Sequence, residues 1–180
     1  MCGGGYCSRS GKPRNRTAHS KPFFIFRKIY MTPEMTRAMF SSSTDMWATP
    51  QYFFDKLNSK FRFETDVCAT NENAKCSNFF TPEMDGLSMD WTGVCWMNPP
   101  YGRGIGAWIE KAYKSARENG ATVVCLIPAR TDTKWWHNYC MKGEITYIKG
   151  RLKFSDARDS APFPSAVVVF RPSVADALSE

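Results

Sequence analysis

A continuous apolar run that ends at a proline limits the possible folds of this chain more than any other segment does. Ala121–Ile127 is followed by Pro128, and such a run is typical of a central β-strand covered on both faces. The segment before it carries apolar residues at helical spacing and stops at Gly120. These residues are Ile105, Trp108, Ile109, Ala112, Tyr113 and Ala116. A buried strand joined to an amphipathic helix is the repeating unit of a parallel α/β sheet.

Weaker patterns on both sides extend this unit into a domain. The other predicted elements are strands over 61–67, 94–97, 144–149 and 165–171 and a helix near 133–141. A short helix over 50–58 is predicted to begin with Thr49 as N-cap and Pro50 as its first residue, and to bury Tyr52, Phe53 and Leu57. The order of elements predicts a doubly wound α/β sheet that is mostly parallel, with the last two strands as an antiparallel pair at one edge.

The formal net charge of +7 is confined to the N-terminal segment. Residues 1–30 carry seven basic side chains and no acidic one, whereas the rest of the chain carries equal numbers of each. Residues 1–43 also lack helical or strand periodicity, so we interpret them as a basic, disordered leader before a folded domain over 44–175. The alternatives for this segment are an Arg-rich organelle transit peptide and an upstream extension of a chain that starts at Met31 or Met39.

Cysteine, histidine and hydropathy patterns exclude several classes of protein. The seven cysteines form no Cys-x-x-Cys pair and the two histidines lie far apart in sequence, which argues against a zinc site and a secreted disulfide framework. No apolar run approaches the ~20 residues that span a bilayer. We therefore expect reduced thiols, no metal, no membrane partner, and residence in a cytoplasm.

The strongest candidate for a functional site is the string Asn98-Pro99-Pro100-Tyr101, which directly follows the predicted strand 94–97. Ligands of open α/β sheets bind beyond the carboxyl ends of strands. The Asn98 side chain and the Pro99 carbonyl can accept hydrogen bonds from a conjugated NH2 group, whose delocalised lone pair otherwise makes it a poor nucleophile. Tyr101 offers a ring face to a flipped base. A Pro-Pro turn after a buried strand is the structural alternative.

This string resembles the catalytic motif of S-adenosylmethionine-dependent amino-methyltransferases, and the wider sequence is similar to the phage-type, Dam-like DNA N6-adenine methyltransferases. The resemblance covers about residues 44–171 and consists of Trp47–Pro50, Asp66–Ala69, Asn73–Lys75, Asp85–Leu87, Trp96–Gly102, Leu126–Arg130 and Gly150–Phe154. It implies a small, single-domain, Rossmann-like class I methyltransferase fold. It also implies methyl transfer from S-adenosylmethionine to N6 of adenine in double-stranded DNA, for which we expect a monomer.

The resemblance places one end of the cofactor beside Asp66. Asp66 and the backbone of Val67, Cys68 and Ala69 fall in the loop that faces the methionine end or the ribose of S-adenosylmethionine, although no Gly-rich loop follows Asp66. The alternative for Asp66 is an N-cap for a following turn. Trp47, Thr49 and Pro50 resemble the segment that closes over the methionine moiety, and helix capping with an aromatic staple is their alternative.

The resemblance places the adenine of the cofactor near Asp85. An aspartate at this position is expected to accept a hydrogen bond from the adenine amine, with Leu87 against the ring. Asp90 is the rival for this role. We prefer Asp85 because Asp90-Trp91 has the pattern of a surface turn before the next strand.

Two aromatic residues and four basic residues are the candidates for binding DNA. By resemblance, Phe154 packs on the second face of an adenine that stacks on Tyr101, and a core phenylalanine is the alternative. Basic side chains can line a rim that faces phosphates; those near the motif or in the basic segment 130–158 are Arg103, Arg130, Arg151 and Lys153. An ordinary solvated charged face explains the same residues.

Other substrates and a non-enzymatic role remain as alternatives. Adenine in RNA and glutamine side chains in proteins pose the same problem of a delocalised amino nitrogen, and therefore also suit the string at 98–101. A catalytically inactive DNA-binding protein could use the basic leader alone. Protection of phage DNA from host restriction is the biological use that the resemblance implies.

Overall fold

The computed structural model describes residues 47–154 and 160–173 of the 180-residue chain. The leader predicted for residues 1–43 lies outside them. The described part is a mixed α/β arrangement of three α-helices and one six-stranded sheet. In chain order the elements are α1 (Gln51–Phe61), β1 (Thr65–Asp66), β2 (Asn78–Phe79), β3 (Val94–Met97), α2 (Ile105–Glu118), β4 (Thr122–Pro128), α3 (Lys134–Asn138), β5 (Glu144–Tyr147) and β6 (Ser165–Phe170).

The sheet has the strand order β2-β1-β3-β4-β6-β5. Strands β1 to β4 are parallel to one another, whereas β6 is antiparallel to both β4 and β5. The predicted antiparallel pair at one edge is therefore confirmed. The strand that runs against the others is β6, inside the sheet, and not the edge strand. The reason is that the last strand inserts between β4 and β5, so β5 keeps the direction of β1 to β4.

The central strands and the longest helix follow the sequence pattern. In β4, the residues from Val123 to Ile127 are fully buried, as a strand covered on both faces requires. Helix α2 buries Ile105, Ile109 and Ala112 against the sheet, and Gly120 beyond its end has a φ of 67°. Such a positive φ is the conformation that glycine adopts most readily at a helix terminus.

Helix α1 starts and ends later than the sequence predicted. Its N-cap is Pro50, not Thr49, and no side chain caps it. It continues to Phe61, where Arg62 takes a left-handed φ of 56°. The strand predicted over 61–67 is therefore reduced to Thr65–Asp66, because its first residues complete the helix.

The buried side of α1 also differs from the prediction. Tyr52, predicted to be buried, is 66% exposed, whereas Phe54 is 2% exposed. The centroid of the Phe54 ring lies 5.4 Å from that of Phe63 and 5.6 Å from that of Trp96. Helix α1 therefore packs on the sheet through Phe54, and Tyr52 lies on its exposed side.

The parallel strands bring the candidate loops to one edge of the sheet. The segments after β1, β3 and β4 leave from the same edge because these strands are parallel. The segment after β5 leaves from that edge too, since β5 and β4 are both antiparallel to β6. Among the described residues, no helix is long and apolar enough to cross a membrane.

Candidate active site

The side-chain amide of Asn98, just beyond β3, is held by three residues. Its Nδ2 donates to the main-chain carbonyl of Trp47 and, at 2.9 Å, to Oγ1 of Thr49. Its Oδ1 accepts a hydrogen bond of 2.8 Å from the Tyr101 hydroxyl. The amide nitrogen therefore faces the segment before α1, and the oxygen faces the rest of its own loop.

Tyr101 is a buried member of this loop. Its side chain is 3% exposed, and its hydroxyl also lies 3.2 Å from the carbonyl oxygen of Leu126 in β4. Burial raises the pKa of the Tyr101 hydroxyl, so the phenol is protonated and acts as a donor at neutral pH. The motif is thereby attached to the central strand of the sheet.

A narrow polar cavity lies between the segment before α1 and the loop after β1. Its volume is about 20 Å³, and its lining residues are Trp47, Ala48, Thr49, Asp66, Cys68, Asn73, Lys75, Trp96 and Asn98. This volume is about the room that one water molecule needs. The lining brings one acidic and one basic side chain to the carboxyl end of β1.

Asp66 is the buried acid of this narrow cavity. Its side chain accepts hydrogen bonds from the backbone N–H groups of Cys68 at 3.3 Å and Lys75 at 3.1 Å. Burial raises the pKa of the Asp66 carboxyl to about 6, against the opposing effects of these two hydrogen bonds and the Lys75 charge. The carboxylate is therefore mostly ionised at pH 7. The hydrogen bond from the Cys68 N–H, two positions on, closes an Asx turn after β1, so Asp66 caps the segment that follows it, as its alternative predicted, and also lines the narrow cavity.

A larger apolar cavity lies on the other side of Cys68. Its volume is about 250 Å³, and its lining residues are Cys68, Ala69, Phe80, Thr81, Pro82, Asp85, Gly86, Pro100 and Trp108. Gly86 packs so closely that a Cβ there would lie 2.4 Å from the carbonyl oxygen of Val67. Because Cys68 lines both cavities, they meet at the end of β1, beside the motif at 98–101.

The structure separates the two candidate aspartates. Both side chains are exposed, but only Asp85 lines the larger cavity, and Asp90 does not. The turn expected at Asp90-Trp91 is not a surface feature, because Trp91 is fully buried and its Nε1 donates to the carbonyl of Gly86 at 2.8 Å. Leu87 is half-buried and does not line the cavity; Trp108 does.

Four aromatic residues, which we name the aromatic cluster, adjoin the motif: Trp47, Tyr101, Phe154 and Phe163. The Tyr101 and Phe154 rings are nearly perpendicular, at 81°, with centroids 6.1 Å apart. A base can enter between them only if the two rings separate. Nε1 of Trp47 is buried and has no hydrogen-bond partner within residues 47–154 and 160–173.

The four basic candidates for DNA binding lie around this edge of the sheet. Arg103, Arg130, Arg151 and Lys153 are all exposed. In the segment after β5, Arg151 and Lys153 alternate with the buried residues Leu152 and Phe154. Neither of the two ion pairs within the described residues involves any of the four.

Several site residues were missed at the level of sequence. Asn73 and Lys75 were recognised only as part of a similar string, yet both line the narrow cavity. Phe163 completes the aromatic cluster from a Pro-rich loop 62 positions beyond Tyr101. Phe80 and Trp108 line the larger cavity, although Trp108 carried only the signal of a helix position that faces the core.

Comparisons with known proteins point to one family. The family model for DNA N-6-adenine-methyltransferase (Dam) matches residues 37–177. A DNA N-6-adenine-methyltransferase of Haemophilus phage HP1 (strain HP1c1) is 35% identical over 142 residues, which are 73% of this chain and 81% of that protein. A DNA N-6-adenine-methyltransferase of Escherichia phage T1 is 30% identical over 112 residues, 60% of this chain and 46% of that protein.

Among solved structures, a crystallised protein of Thermoplasma acidophilum shares 18% identity with a TM-score of 0.31, over 56% of this chain and 57% of its own. That similarity is too low to carry an argument about the fold. The family match covers most of the residues, including the whole described part. The chain belongs to the DNA N-6-adenine-methyltransferase (Dam) family.

Proposed function

We propose that this protein transfers a methyl group from S-adenosylmethionine to N6 of adenine in double-stranded DNA. Membership of the family gives the reaction class. The assignment of this role to Asn98 rests on the orientation of its side-chain amide. Two acceptors bind the amide nitrogen, so the amide oxygen points away from them. An oxygen held in this way can accept a hydrogen bond from the N6 amino group of a target adenine.

The two cavities suit the two ends of the cofactor. Phe80, Pro82 and Trp108 supply apolar contacts for the adenine ring in the larger cavity, and Asp85 at its edge can accept from the adenine amine. Asp66 can pair with the ammonium of the methionine end, and Lys75 with its carboxylate. The narrow cavity must widen for this end to bind. We assign Trp47, Cys68 and Ala69, which line the cavities, to their walls. Val67 and Pro50 are buried outside both linings, and we assign them to the backbone behind these walls.

The residues of the motif position and polarise the target nitrogen. Bound S-adenosylmethionine supplies an electrophilic methyl group on a sulfonium. Asn98 Oδ1 and the Pro99 carbonyl accept the two N6 hydrogens, which directs the nitrogen lone pair toward that methyl group. After the N–C bond has formed and the S–C bond has broken, the N6 proton leaves to water. Pro100 keeps the loop rigid because its φ is fixed.

The aromatic cluster supplies the pocket for a flipped adenine. Separation of the Tyr101 and Phe154 rings would give the base two apolar faces. A ring nitrogen of adenine could accept the unpaired Nε1–H of Trp47. Arg103, Arg130, Arg151 and Lys153 are exposed around the same edge and can contact phosphates.

The remaining assignments follow from this reaction. We propose a class I methyltransferase fold over residues 44–175, a single chain as the active unit, and action in a bacterial cytoplasm, where phage DNA is present. The strand order with one reversed strand next to the edge supports the fold assignment.

Methyl transfer from labelled S-adenosylmethionine to unmethylated plasmid DNA tests the proposal. Wild type is expected to label DNA. Asn98→Ala should be at least about 100-fold slower, because the variant lacks the acceptor that polarises the N6 amino group. Asn138→Ala, which changes an exposed asparagine in α3, is the matched control and should keep full activity. Label in RNA or protein but not in DNA would show that the acceptor is wrong. DNA binding without cofactor binding would support a non-enzymatic role.

A further inference from the structure

Thr49 contacts the catalytic amide instead of capping the helix that follows it. Its side chain is 3% exposed, the N-cap of α1 is Pro50, and its Oγ1 accepts a hydrogen bond of 2.9 Å from Asn98 Nδ2. We propose that Thr49, together with the Trp47 carbonyl, is a positioning residue that fixes which way the Asn98 amide is turned. This inference rests on the proposed function of Asn98.

Only one orientation of the amide satisfies its three partners. The Trp47 carbonyl can accept a hydrogen bond but cannot donate one, so it must face the Nδ2 side of Asn98. Turning the amide by 180° would place Oδ1 against that carbonyl, two acceptors in contact. Thr49 accepts the second Nδ2 hydrogen, and the Tyr101 hydroxyl donates to Oδ1.

This orientation decides whether Asn98 can polarise the target. The N6 amino group of adenine presents two donors, so the side chain opposite it must present an acceptor. An amide turned the wrong way would present its own N–H groups and repel the target. Thr49 and Trp47 therefore act on the reaction through Asn98, although both also line the narrow cavity.

The resemblance suggested contact of Thr49 with the cofactor, and the two roles predict different kinetics. A residue that positions Asn98 affects the rate of transfer at saturating cofactor, whereas a cofactor contact affects the affinity for S-adenosylmethionine. Thr49→Val keeps the shape of the side chain and removes the acceptor. Thr49→Ser keeps the hydroxyl, and Thr146→Val removes an exposed hydroxyl of β5 as a matched control.

Single-turnover transfer to DNA and calorimetric binding of S-adenosylmethionine are measured for each variant. We expect Thr49→Val to lose about tenfold in transfer rate, the effect of one hydrogen bond, with its Kd for S-adenosylmethionine within about twofold of wild type. Thr49→Ser should recover most of the rate. Thr49→Ala removes the same acceptor together with the γ-methyl group, so it introduces no new methyl, and it serves if the valine variant does not fold.

Two kinetic outcomes would overturn the proposal: an unchanged transfer rate in Thr49→Val, or a weakened Kd with the rate at saturation intact. A wild type that does not methylate DNA would instead reject the proposed function. The positioning is then still tested by NMR, using the Asn98 side-chain amide signal identified with Asn98→Ala. Its hydrogen exchange should be faster in Thr49→Val than in Thr49→Ser, and equal exchange would refute the role of Thr49.

Discussion

The Sγ atom of Cys68 lies 3.1 Å from the main-chain carbonyl oxygen of Asn98, with the thiol as donor. This hydrogen bond joins the loop after β1 to the loop after β3, two segments separated by 30 positions in sequence. Burial raises the pKa of the Cys68 thiol, so the proton needed for this bond is retained at neutral pH. This hydrogen bond therefore fixes the position of the proposed cofactor loop relative to the proposed catalytic motif.

Removal of the Cys68 thiol should slow methyl transfer more than removal of a buried cysteine thiol elsewhere in the core. Cys68→Ala removes a donor to the motif, and we expect about 1 kcal/mol of destabilisation with a several-fold slower transfer. Cys125→Ala, in the fully buried part of β4, is the matched control and should lose stability with an unchanged rate. Thermal melts and single-turnover rates measure the two effects. Equal rates in the two variants would contradict a role for the Cys68–Asn98 bond.

Asp66 should make cofactor binding depend on pH. Burial raises its pKa from 3.8 to about 6, so the carboxylate that we propose as the partner of the methionine ammonium is lost as pH falls through about 6. We expect calorimetry to show a weaker affinity for S-adenosylmethionine at pH 5.5 than at pH 7.5. Asp66→Asn should bind weakly at both values, and a pH dependence that survives this change would exclude Asp66 as its source.

The same carboxyl group contributes to the pH dependence of stability. A folded-state pKa above the usual value means that the folded chain binds more protons than the unfolded chain between about pH 4 and 6. The contribution of Asp66 to the free energy of unfolding should therefore fall as pH rises through that window and stay constant above it. Urea unfolding of wild type and Asp66→Asn measures this difference.

Lys75 should recognise the carboxylate of the cofactor and no other part of it. Its Nζ lies 2.9 Å from Gln51 Oε1 at the rim of the narrow cavity. Lys75→Met should weaken binding of S-adenosylmethionine about fivefold, since a partly exposed charge pair is worth about 1 kcal/mol. Binding of 5′-methylthioadenosine, which lacks the aminocarboxylate, should not change. The control is Lys114→Met, which removes an exposed pair with Glu110 on α2. Equal loss for both ligands would mean that Lys75 supports the fold.

Gly86 should tolerate no side chain. A Cβ at this position would lie 2.4 Å from the Val67 carbonyl oxygen, whereas a Cβ at Gly104 would meet nothing within 4 Å. We expect Gly86→Ala to cost about 1–3 kcal/mol through a forced backbone shift and to weaken S-adenosylmethionine binding, while Gly104→Ala leaves both unchanged. Thermal denaturation and calorimetry check this, and equal behaviour of the two variants would argue against the close packing.

The elements predicted correctly are those with a dense local signal. Helix α2 and strand β4 have long periodic or continuous apolar patterns, and both lie close to their predicted positions. Strand β1 pairs over only two residues, too few for a periodic pattern to show. Its length depends on where α1 ends, at an arginine with a left-handed φ, which is a conformation that sequence rarely reveals.

The composition of the site was less accessible, because it depends on contacts between distant segments. Thr49 before Pro50 has the local pattern of a cap, but its partner is Asn98, 49 positions away. Trp91 follows a polar turn in sequence, yet it is fully buried and its ring stacks on Trp108 of α2. The motif at 98–101 was recognisable because its four residues are consecutive, whereas the residues around it come together only in the fold.

Nucleoside analysis of methylated DNA shows which base this protein methylates and whether Asn98 is needed. Unmethylated plasmid DNA is incubated with wild type and S-adenosylmethionine, digested to nucleosides and analysed by mass spectrometry, with Asn98→Ala in parallel. We predict N6-methyldeoxyadenosine in the wild-type sample and none above background with the variant. A product on cytosine, or N6-methyldeoxyadenosine formed equally by both proteins, would contradict the account.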